Sequence, residues 1–216
     1  MKKQLICAFV LLCGAALAQA QEKLPYKANW QYKAEAVADD GTVTTADPKA
    51  GRYLSDQTTW DLGGWTSVAT EYRNLFYIGI TKGTPIPNTM EYVDGQQKQN
   101  STAWLVSPAL DFSAAADKTI SFKCGKEADD QCSSVLEVLY TTDYTGDPTT
   151  TEWTTLKADI RPVTGMKASM MGVEKIRCKV KADKVYIAIK ATKADDKSFE
   201  AGAKQAKIRV MNFQVK

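Results

Sequence analysis

The stretch Trp60-Asp61-Leu62-Gly63-Gly64-Trp65 is the part of the chain best equipped to meet a ligand. Two indoles flank a carboxylate and a glycine pair, and Tyr72, Tyr77 and Tyr92 follow in the same irregular region. Sugar rings stack their C–H faces on aromatic planes, and Trp and Tyr join a flat apolar body to a polar tip. A Trp/Tyr platform beside an Asp, Asn or Gln is what a glycan site requires. Trp60, Trp65, Asp61 and Tyr72 are therefore the candidate ligand-binding residues. Of the other tryptophans, Trp104 and Trp153 are expected in the core.

Catalytic chemistry is harder to find. The chain contains no histidine, which removes Ser-His-Asp and Cys-His catalysis and every His-containing zinc site. Carboxylate, Tyr, Lys or Ser-Lys chemistry remains. Glycoside hydrolysis needs two carboxyls ~5–9 Å apart across a cleft. Asp61, Glu71, Glu91 and Asp94 offer the groups, but their spacing selects no pair and they read as solvated loop charges. No catalytic residue is expected.

No cofactor is expected either. Structural calcium is the competing reading for Asp111, Asp143, Asp147 and the Asp129-Asp130 pair, since carboxylates on loops suit a hard cation. Nothing in their spacing resembles an EF-hand. Asp143 and Asp147 equally well cap tight turns, with Gly146 supplying a positive φ and Pro148 ending the turn. Cys124 and Cys132 bracket a polar loop, GKEADDQ, which a disulfide would staple. Both thiols could equally be reduced core residues. Cys178 shares a face with Ile176 and Val180 and reads as a small buried hydrophobe.

The segments that carry these residues are strands. Ile120, Phe122 and Cys124 alternate with Thr119, Ser121 and Lys123, and the stretch Ser134–Thr141 is apolar on both faces. Lys175–Lys181 and Lys184–Lys190 alternate almost perfectly, which predicts lysines on a solvated outer face. In the last segment Ile208 and Val210 share one parity while Phe213 and Val215 share the other. That switch predicts a bulge near Met211-Asn212. TKGTPIPNTMEYVDGQQKQNST reads as a surface excursion over one end of the sandwich. The fold class is all-β: an antiparallel, jelly-roll-like β-sandwich.

The N-terminus reads as an export signal. Lys2 and Lys3 precede an apolar run from Leu5 to Leu17, and Ala18-Gln19-Ala20 forms a small-x-small cleavage site. Residues 1–20 are expected to be removed, leaving 21–216 as one domain with no transmembrane segment. The remaining 26 basic and 25 acidic residues nearly balance, which argues against nucleic acid or an anionic membrane as the main partner, since either usually shows a basic patch or stripe.

From Trp104 to Asp111 the sequence WLVSPALD resembles the choice-of-anchor J group, relatives of the cleaved-adhesin and MAM-like jelly rolls. The counterparts continue through Ile120-Ser121-Phe122, the Val138–Asp147 hairpin, Trp153 and the strand from Ile208 to Val215, with Gly64-Trp65 upstream. The resemblance implies a bacterial extracellular jelly roll used for adhesion or glycan association. The expected function is a secreted, periplasmic or cell-surface binding module that takes a glycan or surface protein through loops at one end. The alternative is an envelope assembly protein acting by protein–protein contacts, and a carboxylate glycosidase stands third.

Overall fold

A computed structural model describes residues 21–32, 35–37, 43–45, 60–70, 76–81, 84–94, 102–114, 117–127, 134–193 and 206–216. Residues 1–20, where the sequence predicts an export signal, and Tyr72, Cys132 and Asp129-Asp130 lie outside the described residues. The first eight strands are β1 (Tyr26–Lys27), β2 (Gln31–Tyr32), β3 (Glu35–Val37), β4 (Val43–Thr45), β5 (Trp60–Asp61), β6 (Thr66–Ala69), β7 (Tyr77–Thr81) and β8 (Thr84–Asp94). Eight more follow: β9 (Thr102–Val106), β10 (Lys118–Lys126), β11 (Val135–Thr141), β12 (Thr154–Ile160), β13 (Val163–Thr164), β14 (Gly172–Cys178), β15 (Tyr186–Thr192) and β16 (Ala206–Val215). No helix among the described residues is long and apolar enough to cross a membrane.

Two sheets make the sandwich. The five-stranded sheet runs β12-β11-β15-β9-β6. The seven-stranded sheet has β10 and β16 at its centre, followed by β8 and β7. β14 and then β13 line the outer flank of β10, while β8 and β1 share one flank of β16. All ladders are antiparallel except the short β10–β13 pairing.

The alternation seen in the sequence decides which side chains meet between the sheets. Ile120, Phe122 and Cys124 of β10 join Leu136 and Val138 of β11 and Ile187 and Ile189 of β15 in one buried cluster. Removing each large aliphatic side chain from water stabilises by ~1.5–3 kcal/mol. Ser107 closes the β9–β15 ladder where Pro108 can donate nothing. Its Oγ accepts from the Ile187 amide at 2.9 Å and donates to the Pro108 carbonyl at 2.8 Å.

The parity switch in β16 is a bulge. The register against β10 slips between Ser121 and Lys123, and Asn212 adopts φ 54°. Both Val210 and Phe213 consequently reach the core. One reading is corrected. The proline-rich passage is not a surface excursion over Thr84–Asp94, because β8 lies inside the seven-stranded sheet between β16 and β7. Pro85 and Pro87 lie outside the β8–β16 ladder, where the only sheet partner is the outermost strand β7, while Thr89–Asp94 ladders with β16. The missing proline donors therefore fall outside the central ladder.

Candidate functional site

The end of the sandwich predicted to bind is built on β2 and β5. Asp61 pairs opposite Gln31, and Trp60 opposite Tyr32. Asp61 is exposed, and its Oδ1 accepts from the Gly63 amide at 3.0 Å. Gly63 (φ 56°) and Gly64 (φ 83°) then turn the chain inward, a conformation that residues with a Cβ adopt only under strain. The turn delivers Trp65 to the interior, where it is 5% exposed. Its ring lies edge-on to Trp30 at 5.2 Å and to Phe213 at 4.7 Å, and Nε1 donates to the Tyr26 hydroxyl at 2.7 Å. Burial pushes that Tyr26 hydroxyl up to about 12. Trp65 is thus a core residue, and its predicted role as a stacking platform is corrected. A recess of about 330 Å³ opens beside Gln31, lined also by Pro85, Ile86 and Pro87.

Of the two tryptophans expected in the core, Trp104 is buried, but in a second small cluster on the outer face of the five-stranded sheet, and Trp153 is only partly buried against it. β9 and β15 send alternate residues to opposite faces of the five-stranded sheet. Ala103, Leu105, Ile187 and Ile189 enter the core, while Trp104, Val106, Tyr186 and Ala188 point away from it. Leu139 of β11 joins them on the outer face. The loop between β11 and β12 then folds Tyr144 and Trp153 over this face. Trp153 stacks on Trp104 with centroids 5.7 Å apart and planes 26° from parallel. Tyr144 contacts Trp153 at 5.9 Å and Tyr186 at 5.1 Å.

The loop is held by its own hydrogen bonds. Trp153 Nε1 donates to the Pro148 carbonyl at 2.9 Å, and Asp147 Oδ1 accepts from the Thr149 amide and hydroxyl, each at 2.8 Å. Trp104 is nearly buried, but Tyr144, Trp153, Tyr186 and Val68 each stay partly exposed. Lys190 borders the platform, its Nζ 5.2 Å from the Trp104 ring centroid and 3.0 Å from Glu137 Oε2. Burial, with Asp147 and Tyr186 nearby, pushes the Tyr144 hydroxyl up to about 12. It therefore keeps its proton at any ordinary pH. The sequence carried one signal for this face: β9, β11 and β15 are apolar at both parities, more than a single core requires.

Two of the loop carboxylates considered for calcium, Asp111 and Asp147, accept local hydrogen bonds. Asp111 Oδ1 accepts from the Ser113 amide at 2.9 Å, and hydrogen bonds from the Ser113 side chain and then its amide hold the Asp111 carboxyl below the usual carboxylate range. Beside it the buried Lys118 ammonium donates to the Phe112 carbonyl at 2.9 Å, to the Ala114 carbonyl, and to the Val180 carbonyl at 3.4 Å. The chain's own cation thus fills a cage of backbone oxygens. Glu91, expected as a solvated charge, is fully buried against Arg209, whose Nε donates to Oε1 at 2.9 Å. No carboxylate pair facing across a cleft emerges from Asp61 and Glu91.

No family model and no curated protein matches the chain. Among solved structures it is similar to two cleaved adhesin domains of Lys-gingipain from Porphyromonas gingivalis W83. The K1 domain is 12% identical over 71% of this chain and 90% of that one, with a TM-score of 0.48. The K3 domain is 13% identical over 71% and 91%, with a TM-score of 0.49. The N-terminal cellulose-binding domain of Cellulomonas fimi β-1,4-glucanase C is 13% identical over 71% and 88%, with a TM-score of 0.40.

Proposed function

We propose that the chain is an exported, non-catalytic binding module of the adhesin-like kind, and that its ligand is a saccharide held on the outer face of the five-stranded sheet. The observation that carries this reading is the aromatic platform of Trp153, Tyr144 and Tyr186 on Trp104. A sugar offers an apolar C–H face and a rim of hydroxyls. The platform offers the complement: partly exposed ring planes bounded by a cation, a carboxylate and a protonated phenol.

A second reading keeps the ligand at the end of the sandwich. The recess beside Gln31, whose strand partner is Asp61, favours it, with Trp60 and Tyr72 as the aromatic partners.

A glycan array separates the two. The chain, Tyr144→Ala/Tyr186→Ala and Trp60→Ala would be screened in parallel, with near-ultraviolet circular dichroism confirming intact packing. Loss of two stacking contacts is expected to weaken binding about tenfold or more, with Trp60→Ala unchanged. Loss confined to Trp60→Ala would move the site to the recess. Binding to no glycan would defeat the saccharide reading and favour protein–protein assembly.

A further inference from the structure

The outer face of the other sheet has a different character. Its exposed positions on β14 are Val173, Lys175 and Arg177, followed by Lys179. The register places Lys175 across from Ser121 of β10, which faces Gln214 of β16, which faces Lys27 of β1. The neighbouring row places Val173 across from Lys123, which faces Met211. None of these positions carries a carboxylate. In the next row, Gly125–Arg209–Glu91, the carboxylate is buried and bonded to Arg209. Lys27, Lys175 and Arg177 make no ion pair among the described residues. From Arg161 to Lys181 the chain has six cations and one acid, Glu174, which is tied to Lys157 at 2.5 Å.

At one corner of this basic face stand Val163 (45% exposed), Met170 (55%) and Val173 (56%). They are the exposed large hydrophobic side chains among the described residues. All three come from the β13–β14 strap and its margins, a stretch fixed to the sheet below. Gly125 is pressed so closely to the Gly165 carbonyl that an added Cβ would lie 2.0 Å from it. Lys123 Nζ donates to the Ala168 carbonyl at 2.9 Å, and Arg209 to the Met166 carbonyl at 2.7 Å. The apolar corner is therefore presented by an anchored element.

The geometry points to this face as a docking surface for an anionic lipid bilayer. Cations on a flat face are drawn to negative headgroups, and a few apolar side chains projecting beside them can enter the headgroup boundary. A soluble polyanion would use the cations and leave the exposed valines and methionine unexplained. A protein partner would leave unexplained the want of any carboxylate among the cations. The surface lies on the opposite side of the sandwich from the aromatic platform and stands independently of the saccharide reading.

The test is cosedimentation of the chain with vesicles of phosphatidylcholine alone and of equimolar phosphatidylcholine and phosphatidylglycerol. Binding is expected to the anionic vesicles only, and to weaken as salt rises. Each cation near an anionic surface contributes about fivefold in partitioning. Lys175→Glu/Arg177→Glu should therefore lower partitioning more than tenfold. Met170→Ser/Val173→Ser should lower it several-fold at unchanged charge. Circular dichroism would verify that both variants fold, and their substituted side chains are all exposed. Equal partitioning to both vesicle types would overturn the proposal. So would binding that Met170→Ser/Val173→Ser leaves intact but soluble dextran sulfate abolishes, since that pattern describes a polyanion site.

Discussion

Trp65 and Trp104 show how little a residue's type reveals of its use. Trp65 follows two glycines and a nearby carboxylate, the local company of a binding loop. It is nonetheless clasped by Trp30, Phe213 and Tyr26. Trp104 lies in the apolar run AWLV and helps build an outward aromatic face. Alternation in a strand separates two faces but leaves open which of them is covered. Cys124 is a residue whose sequence reading leads directly to an energetic consequence. Its thiol is 1% exposed and free, and burial pushes it up from 9.0 to about 12. The folded chain then keeps a proton that the unfolded chain releases above pH 9. The resulting stability is whole below that pH and is lost as pH rises toward 12, at about 1.4 kcal/mol per pH unit. Burial raises Cys178 in the same direction, and Tyr26 adds its own loss above pH 10. Urea midpoints should hold to about pH 9 and fall from there toward pH 10, and Cys124→Ala should lessen that fall whatever it does to stability at pH 8. A slope unchanged in the variant would sink this account.

Elements were legible where one periodicity ran unbroken. β10, β11, β15 and the bulge in β16 follow from alternation and its single parity switch, because a buried face tolerates no slip of register. β8 escaped because Pro85 and Pro87 carry the strongest turn signal in their segment, and their position beyond the β16 ladder makes them harmless. The strap from Arg161 to Met171 was equally hidden. It has no alternation of its own and is defined by what it covers: Gly125 beneath it and the buried Glu91–Arg209 pair beside it. Glycine is required at position 125 for close approach. Gly125→Ala would force the Gly165 carbonyl away and disturb the Arg209–Met166 contact. The expected cost is about 1–3 kcal/mol in urea unfolding, with hydrogen exchange faster in the strap than in β9 or β15. Wild-type stability in Gly125→Ala would mean that the strap yields freely.

At the scale of the whole molecule, the two proposed surfaces are outer faces of opposite sheets, with the full core between them. Sheets in a sandwich pack ~10 Å apart, so a ligand on the Trp153–Tyr186 side shares no side chain with a bilayer on the Lys175–Arg177 side. Energetic effects at sites so separated usually add. A conformational link would need an element with two arrangements, and the sheets joining the faces are continuous hydrogen-bonded ladders. The two binding events are therefore expected to be independent. The affinity for whichever saccharide the array identifies should be the same, within about twofold, for the free chain and for the chain held on anionic vesicles. Vesicles carrying the chain should also be captured by beads displaying that saccharide. Tyr144→Ala/Tyr186→Ala should abolish capture without releasing the chain from vesicles, and Lys175→Glu/Arg177→Glu should do the reverse. Mutual exclusion of saccharide and vesicle would place both ligands on one face and refute the two-sided arrangement.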